Sequence, residues 1–178
     1  IGKIKKMKDK IAIHWFRKDL RLSDNPSINY LASFSDPVLF IFILNEESPN
    51  RDIGAAGKVW LHNSLEYLNK QISGNLVFFK GLPLEIFEKL INRFNVRSIS
   101  WNRSYEPNDL ESDIIIKKKL RQNVDNVKSF NGSLLWEPSE VLKNDSTPYK
   151  VFTPFYKKGC LNRPPPRQPV TKKVKKIF

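Results

Sequence analysis

Two short stretches concentrate the side chains able to hold a ligand. Residues 17–26 read RKDLRLSDNP, and residues 102–109 read NRSYEPND. Arg17, Lys18, Asp19, Arg21, Asp24 and Asn25 in the first, with Tyr105, Glu106, Asn108 and Asp109 in the second, supply N–H donors and carboxylate or amide acceptors. Such a set suits recognition of a polar rim or a charged partner. Covalent catalysis needs more, and no nucleophile–base–orienter combination stands out, so no residue is assigned as catalytic. His14, His62 and Cys160 are too widely spaced for a metal site. Neither GxGxxG nor GxxxxGK[ST] occurs, which argues against a dinucleotide dehydrogenase or a P-loop enzyme. Plainer readings stand beside these. Arg17, Asp19 and Arg21 equally suit a solvated loop with internal ion pairs, and Asp109 and Glu111 suit first-turn acids favoured by a helix dipole. His14 on a strand reads as a packed core residue.

These stretches need elements to position them, and the pattern around them alternates strand and helix. Residues 11–16 (IAIHWF) form a first strand, and residues 26–34 a short helix with Pro26 early and Asp24 or Asn25 as cap. Residues 37–44 (PVLFIFIL) are continuously apolar, as in a strand covered on both faces. Residues 54–72 carry Leu61, Leu65, Leu68 and Ile72 on one helical stripe. Two further strand–helix units follow, 75–81 with 83–94 and 96–101 with 107–123, then a short strand at 126–130 and an extended segment at 131–138. Strand–helix units in series predict an α/β fold with a parallel sheet, right-handed crossovers and helices on both faces. Ligands of such sheets sit beyond the carboxyl ends of the strands. The loops there are RKDLRLSDN, NEESPNRDIGAAGK and NRSYEPND, so the charges after Phe16 lie at the ligand edge.

The chain has 178 residues with 40% apolar content, enough for one domain and a tail. Residues 1–10 form a basic tail and residues 11–148 the α/β domain; residues 149–178, with three consecutive prolines, read as a stiff linker. No apolar run spans a membrane, no signal peptide is apparent, and a single cysteine suits a reducing cytoplasm. Net charge is +13, from 31 basic and 18 acidic side chains, which suits either solubility or attraction to a polyanion.

HWFRKDLRLSDNP (14–26) resembles the N-terminal signature of the DNA photolyase and cryptochrome family. IGAAGKVWLHNSL, WNRSYEP, FNGSLLWEP and YKVFTPF also look like family segments, in family order. The resemblance implies a Rossmann-like, doubly wound antenna domain whose five strands run in the order 3-2-1-4-5. It implies a helical domain beyond this one, holding FAD and the cavity for damaged DNA. On that reading the chain ends in the interdomain linker and has no repair activity by itself.

The resemblance also implies a second, light-harvesting chromophore. In folate-type members an Asn-Glu pair opening the fourth helix binds the pterin; Asn108 and Asp109 match it here, with Asp in place of Glu, beside Glu106. Methenyltetrahydrofolate is therefore the leading chromophore. A deazaflavin would shift the weight to Asn45, Glu46 and Arg51, and flavin or lumazine is a third option. Arg17, Asp19 and Arg21 would brace the pocket edge and the seam with the helical domain. The function implied is the antenna part of a deoxyribodipyrimidine photolyase, a light-driven lyase repairing pyrimidine dimers. The alternatives are a cryptochrome photoreceptor and a stand-alone nucleotide-binding module.

Overall fold

The computed structural model describes residues 10–45 and 53–178. The strands are β1 (Lys10–Phe16), β2 (Val38–Leu44), β3 (Leu76–Lys80), β4 (Asn95–Asn102) and β5 (Asn126–Phe130). They alternate with α1 (Pro26–Leu31), α2 (Ala55–Gln71), α3 (Pro83–Arg93) and α4 (Pro107–Leu120). All four pairings are parallel, in the order β3-β2-β1-β4-β5. β1 is central: Ala12 to Phe16 pair in step with Val38 to Phe42 on one side, and His14 and Trp15 pair with Ser100 and Trp101 on the other. No described helix is long and apolar enough to cross a membrane.

Side-chain alternation splits the core into two layers. Ile11, Ile13 and Trp15 face α3 and α4 with Leu39, Ile41, Ile99 and Trp101. Ala12 and Phe16 face α1 and α2 with Phe40, Phe42, Ile28, Leu31, Leu68 and Ile72. β2 is buried from Val38 to Ile43, as its apolar run predicts. β3, at the sheet edge, leaves Val77 and Phe78 exposed.

Helix α1 is shorter than its sequence suggests. It ends at Leu31, and the Ser33 hydroxyl then donates to the Tyr30 carbonyl, a local bond that competes with helix continuation. The turn and extended segment expected at 131–138 carries no helix or strand up to Glu137, and a 3-10 turn begins at Pro138 and runs to Glu140. Phe152–Pro154 is helical and continues as a π-helical turn over Phe155–Cys160, where the sequence shows no clear periodicity. Two compact units result: residues up to Gly132 together with Val170–Phe178, and Ser133–Pro169. Within the second, Trp136 donates its indole N–H to the Pro164 carbonyl at 3.0 Å. A concave surface there of about 470 Å³ is lined by Leu135, Trp136, Tyr149 and Phe155 among others.

Candidate functional site

The strand order reverses at β1, whose neighbours β2 and β4 continue in opposite directions across the sheet. The segment after Phe16 and the segment after Asn102 therefore leave the same edge side by side. Pro107 opens α4 there, with its fixed φ suited to a first helical position, and Asp109 lies in the first turn, where the helix dipole favours an anion.

A compact ion-pair cluster joins the two segments. One guanidinium nitrogen of Arg17 lies 2.9 Å from the Asp113 carboxylate and another 3.3 Å from that of Asp109. The guanidinium also sits 4.7 Å above the Trp15 ring. Lys18, largely exposed, pairs with Glu106 and reaches Asp109 at 3.7 Å. The second oxygen of Asp113 accepts from the Trp101 indole N–H at 2.8 Å, while the Lys117 ammonium stands over the Trp101 ring. Burial pushes the Asp113 carboxyl above its usual range, against the opposing pull of Arg17, the indole N–H and Lys117. Burial likewise lowers the Lys117 ammonium.

Beneath this cluster runs a second frame, centred on Asp19. Its carboxylate accepts from the Arg17 backbone N–H, from Asn25 at 3.2 Å and from Asn102 at 2.6 Å. Asn25 caps α1 by accepting from the Ile28 N–H at 3.1 Å, and Asn102 donates to Asn25 at 2.8 Å. Burial raises the Asp19 carboxyl, and these hydrogen bonds offset part of that rise. The bonds link β1, α1 and β4 through buried side chains, so the edge is pre-organised rather than loose.

Of the residues singled out from the sequence, Arg17, Glu106 and Asp109 converge through Lys18. Asn108 stands half-buried in the same first turn of α4, and Asn45 half-buried just past the end of β2. Glu46 and Arg51 lie outside the described residues. Arg17, Asp19 and Arg21 all find partners within this chain. Asp113 was missed by sequence reasoning, although a signal exists: it follows Asp109 by four residues on the stripe that continues with buried Ile116 and Leu120. Asn102 carries no such signal, since its partners arrive from distant segments.

A carboxylate presents about four lone-pair directions. Asp109, with cations at both oxygens, therefore suits a neutral, planar ligand whose rim donates N–H groups. Positive charge is already supplied by the protein at this edge, so an additional strongly cationic group fits poorly.

Known proteins share this fold. The family model for DNA photolyase matches residues 12–172. A deoxyribodipyrimidine photo-lyase of Agrobacterium fabrum is 38% identical over 148 residues, covering 82% of this chain and 30% of that protein. Cryptochrome-2 of Arabidopsis thaliana is 32% identical over 159 residues, covering 86% of this chain and 26% of that protein. The crystal structure of a bacterial class III photolyase from Agrobacterium tumefaciens superposes with a TM-score of 0.84 at 33% identity, over 97% of this chain and 36% of that one. The chain thus spans between about a quarter and about a third of the length of these proteins. With the expected sheet order and a family match across nearly its whole length, the chain belongs to the DNA photolyase family.

Proposed function

We propose that this chain is the antenna part of a deoxyribodipyrimidine photolyase. It holds a light-harvesting chromophore that passes excitation to FAD in a following helical domain, and the full-length protein repairs pyrimidine dimers in damaged DNA. The observation that carries this reading is the Arg17–Asp109–Asp113 cluster at the switch-point edge, which fixes the first turn of α4 and with it Asn108. Methenyltetrahydrofolate is the chromophore this edge suits best, because a pterin rim presents adjacent N–H donors to a held carboxylate and a neighbouring amide. Asp109 and Asn108 would anchor the ring, while Arg17 and Lys18 hold the carboxylate in place. On this reading FAD, and with it photoreactivation, belongs to the helical domain.

Titrating methenyltetrahydrofolate into the wild-type chain and into Asp109→Ala tests the anchor. Loss of one charge-assisted bond in a partly buried site should weaken binding about ten- to a hundredfold. Equal affinities would remove Asp109 from the site, and tight binding of a deazaflavin instead would move it toward Asn45, Glu46 and Arg51. The match to Cryptochrome-2 supports a second reading, the same domain in a photoreceptor. Light-driven repair of a dimer-containing oligonucleotide by the full-length protein decides between the two.

A further inference from the structure

The chain leaves its first compact unit after Gly132 and re-enters it at Val170. Both points are held by residues three apart in the segment after β1. Arg21 donates through one guanidinium nitrogen to the carbonyls of Gly132 and Asp24. The Asp24 carboxylate, in turn, accepts from the Val170 backbone N–H at 3.1 Å. Asp24 has a φ of 45°, a left-handed conformation that Asp, Asn and Gly tolerate best. The backbone there is shaped so that the side chain meets the returning strand.

Beyond Val170 the returning segment is anchored sparsely. Val174 packs, half-buried, against the apolar layer of α1 and α2. Ile177 then forms a parallel bridge with Val38: the Val38 N–H donates to Lys176 and the Phe178 N–H to Val38, each at 3.0 Å. Phe178 sets its ring edge-on against Phe94. Between these anchors a groove of about 840 Å³ remains under the segment, lined by Leu20, Leu22, Phe40 and Ile72 on the domain side. Lys172, Lys173, Lys175 and Lys176 are all exposed. A segment with one side-chain catch, one half-buried apolar contact, one backbone bridge and one ring contact opens at far lower free energy than the sheet beneath it. Opening would uncover the apolar groove and the backbone at the start of β2, the two features by which an extended peptide adds to a sheet.

We propose that Val170–Phe178 is a latched strap, released as a unit from the α1–α2 face when the bond between its Val170 N–H and the Asp24 carboxylate is broken. Asp24 is the catch, and Arg21 holds the catch and the exit point at Gly132 in one place. The strap is an intramolecular ligand of a groove that accepts an extended, lysine-rich segment with apolar anchors.

Hydrogen exchange and limited trypsin digestion of the chain, followed by mass spectrometry, test this. In Asp24→Gly, which keeps the positive φ but removes the acceptor, amides of 170–178 should exchange about tenfold faster. Cleavage at Lys172 to Lys176 should accelerate by a similar factor, and the amides of β1 and β4 should not change. Asp24→Asn, which keeps both the φ and an acceptor oxygen, should behave as wild type. Phe178→Pro removes the N–H donated to Val38 and should free the strap from its other end with Asp24 intact. Unchanged exchange and cleavage in Asp24→Gly would overturn the proposal. So would equal acceleration in Asp24→Asn, sheet amides accelerating in parallel, or no release in Phe178→Pro.

Discussion

His14 sits at the centre of the sheet with no exposed surface. Its Nδ1 lies 2.8 Å from the Ser27 hydroxyl, which in turn meets the Ser100 hydroxyl at 2.7 Å. Phe16 and Phe40 present ring edges to it on the apolar side. Taking an imidazolium into this setting is costly, and burial lowers its pKa from 6.5 to about 3. The sign of the consequence follows from linkage. The unfolded chain takes up a proton at His14 below pH 6.5 and the folded chain does not until about pH 3, so stability is lost as pH falls through that window. The limit is about 1.4 kcal/mol per pH unit. Asp19 and Asp113, with raised pKa values, act in the opposite sense: they lose stability as pH rises above the ordinary carboxylate range. Urea unfolding of wild type and His14→Gln across pH 4–7 isolates the histidine, because the carboxylates are common to both. The difference between the two should change with pH by about 1 kcal/mol per unit below pH 6. A difference independent of pH would show that His14 accepts a proton in the folded chain.

Helix α1 has six residues, far too few to persist by its own propensity. It exists because Pro26 opens it, Asn25 caps it and Ile28 and Leu31 are buried beneath it. Asn25 also holds Asp19 and Asn102, so its removal opens a cap and leaves two buried polar groups short of a partner. Asn25→Ala should lower stability by about 2–4 kcal/mol, combining a lost cap with unsatisfied buried groups. Chemical denaturation measures it, and a loss below about 0.5 kcal/mol would mean that Asn102 and Asp19 re-pair without it. The sequence carried much of this element in plain view: Pro26 after Asn25 is a local helix-start signal, and the short apolar strand at 11–16 and the apolar run of 37–44 placed the sheet around it. The Asn25–Asp19–Asn102 frame was not legible, because Asn102 lies 83 residues from Asp19 and neither position has a local reason to be buried. The same holds for the candidate site. Arg17 and Asp109 follow from their loops, but Asp113, 96 residues from Arg17, becomes a partner only once α4 is laid beside β1. Gly132 is a further case, since a Cβ there would meet the buried Asn102 side chain at 2.6 Å, a constraint that exists only in the folded sheet.

At the scale of the whole molecule the net charge of +13 is the property that the fold leaves unspent. At the candidate edge, cations and anions are matched, with Arg17, Lys18 and Lys117 facing Glu106, Asp109 and Asp113. A polyanion gains little there, because each cation it engages is drawn from an existing pair. The strap is different. Lys172, Lys173, Lys175 and Lys176 are exposed within five residues, and no acidic residue interrupts them. Lysines that engage phosphates act by counterion release, which depends on salt and not on base sequence or base damage. The chain should therefore bind a dimer-containing duplex and its undamaged counterpart equally, with affinity falling steeply as salt rises. Replacing the four strap lysines by glutamine should lessen the slope of log affinity against log salt by up to about 3.6, roughly 0.9 for each phosphate left without its lysine. Fluorescence anisotropy with labelled duplexes at several salt concentrations measures both quantities. Lesion preference by the wild-type chain would place recognition of damaged DNA in the α/β domain itself. An unchanged slope in the glutamine variant would move the phosphate-binding surface away from the strap.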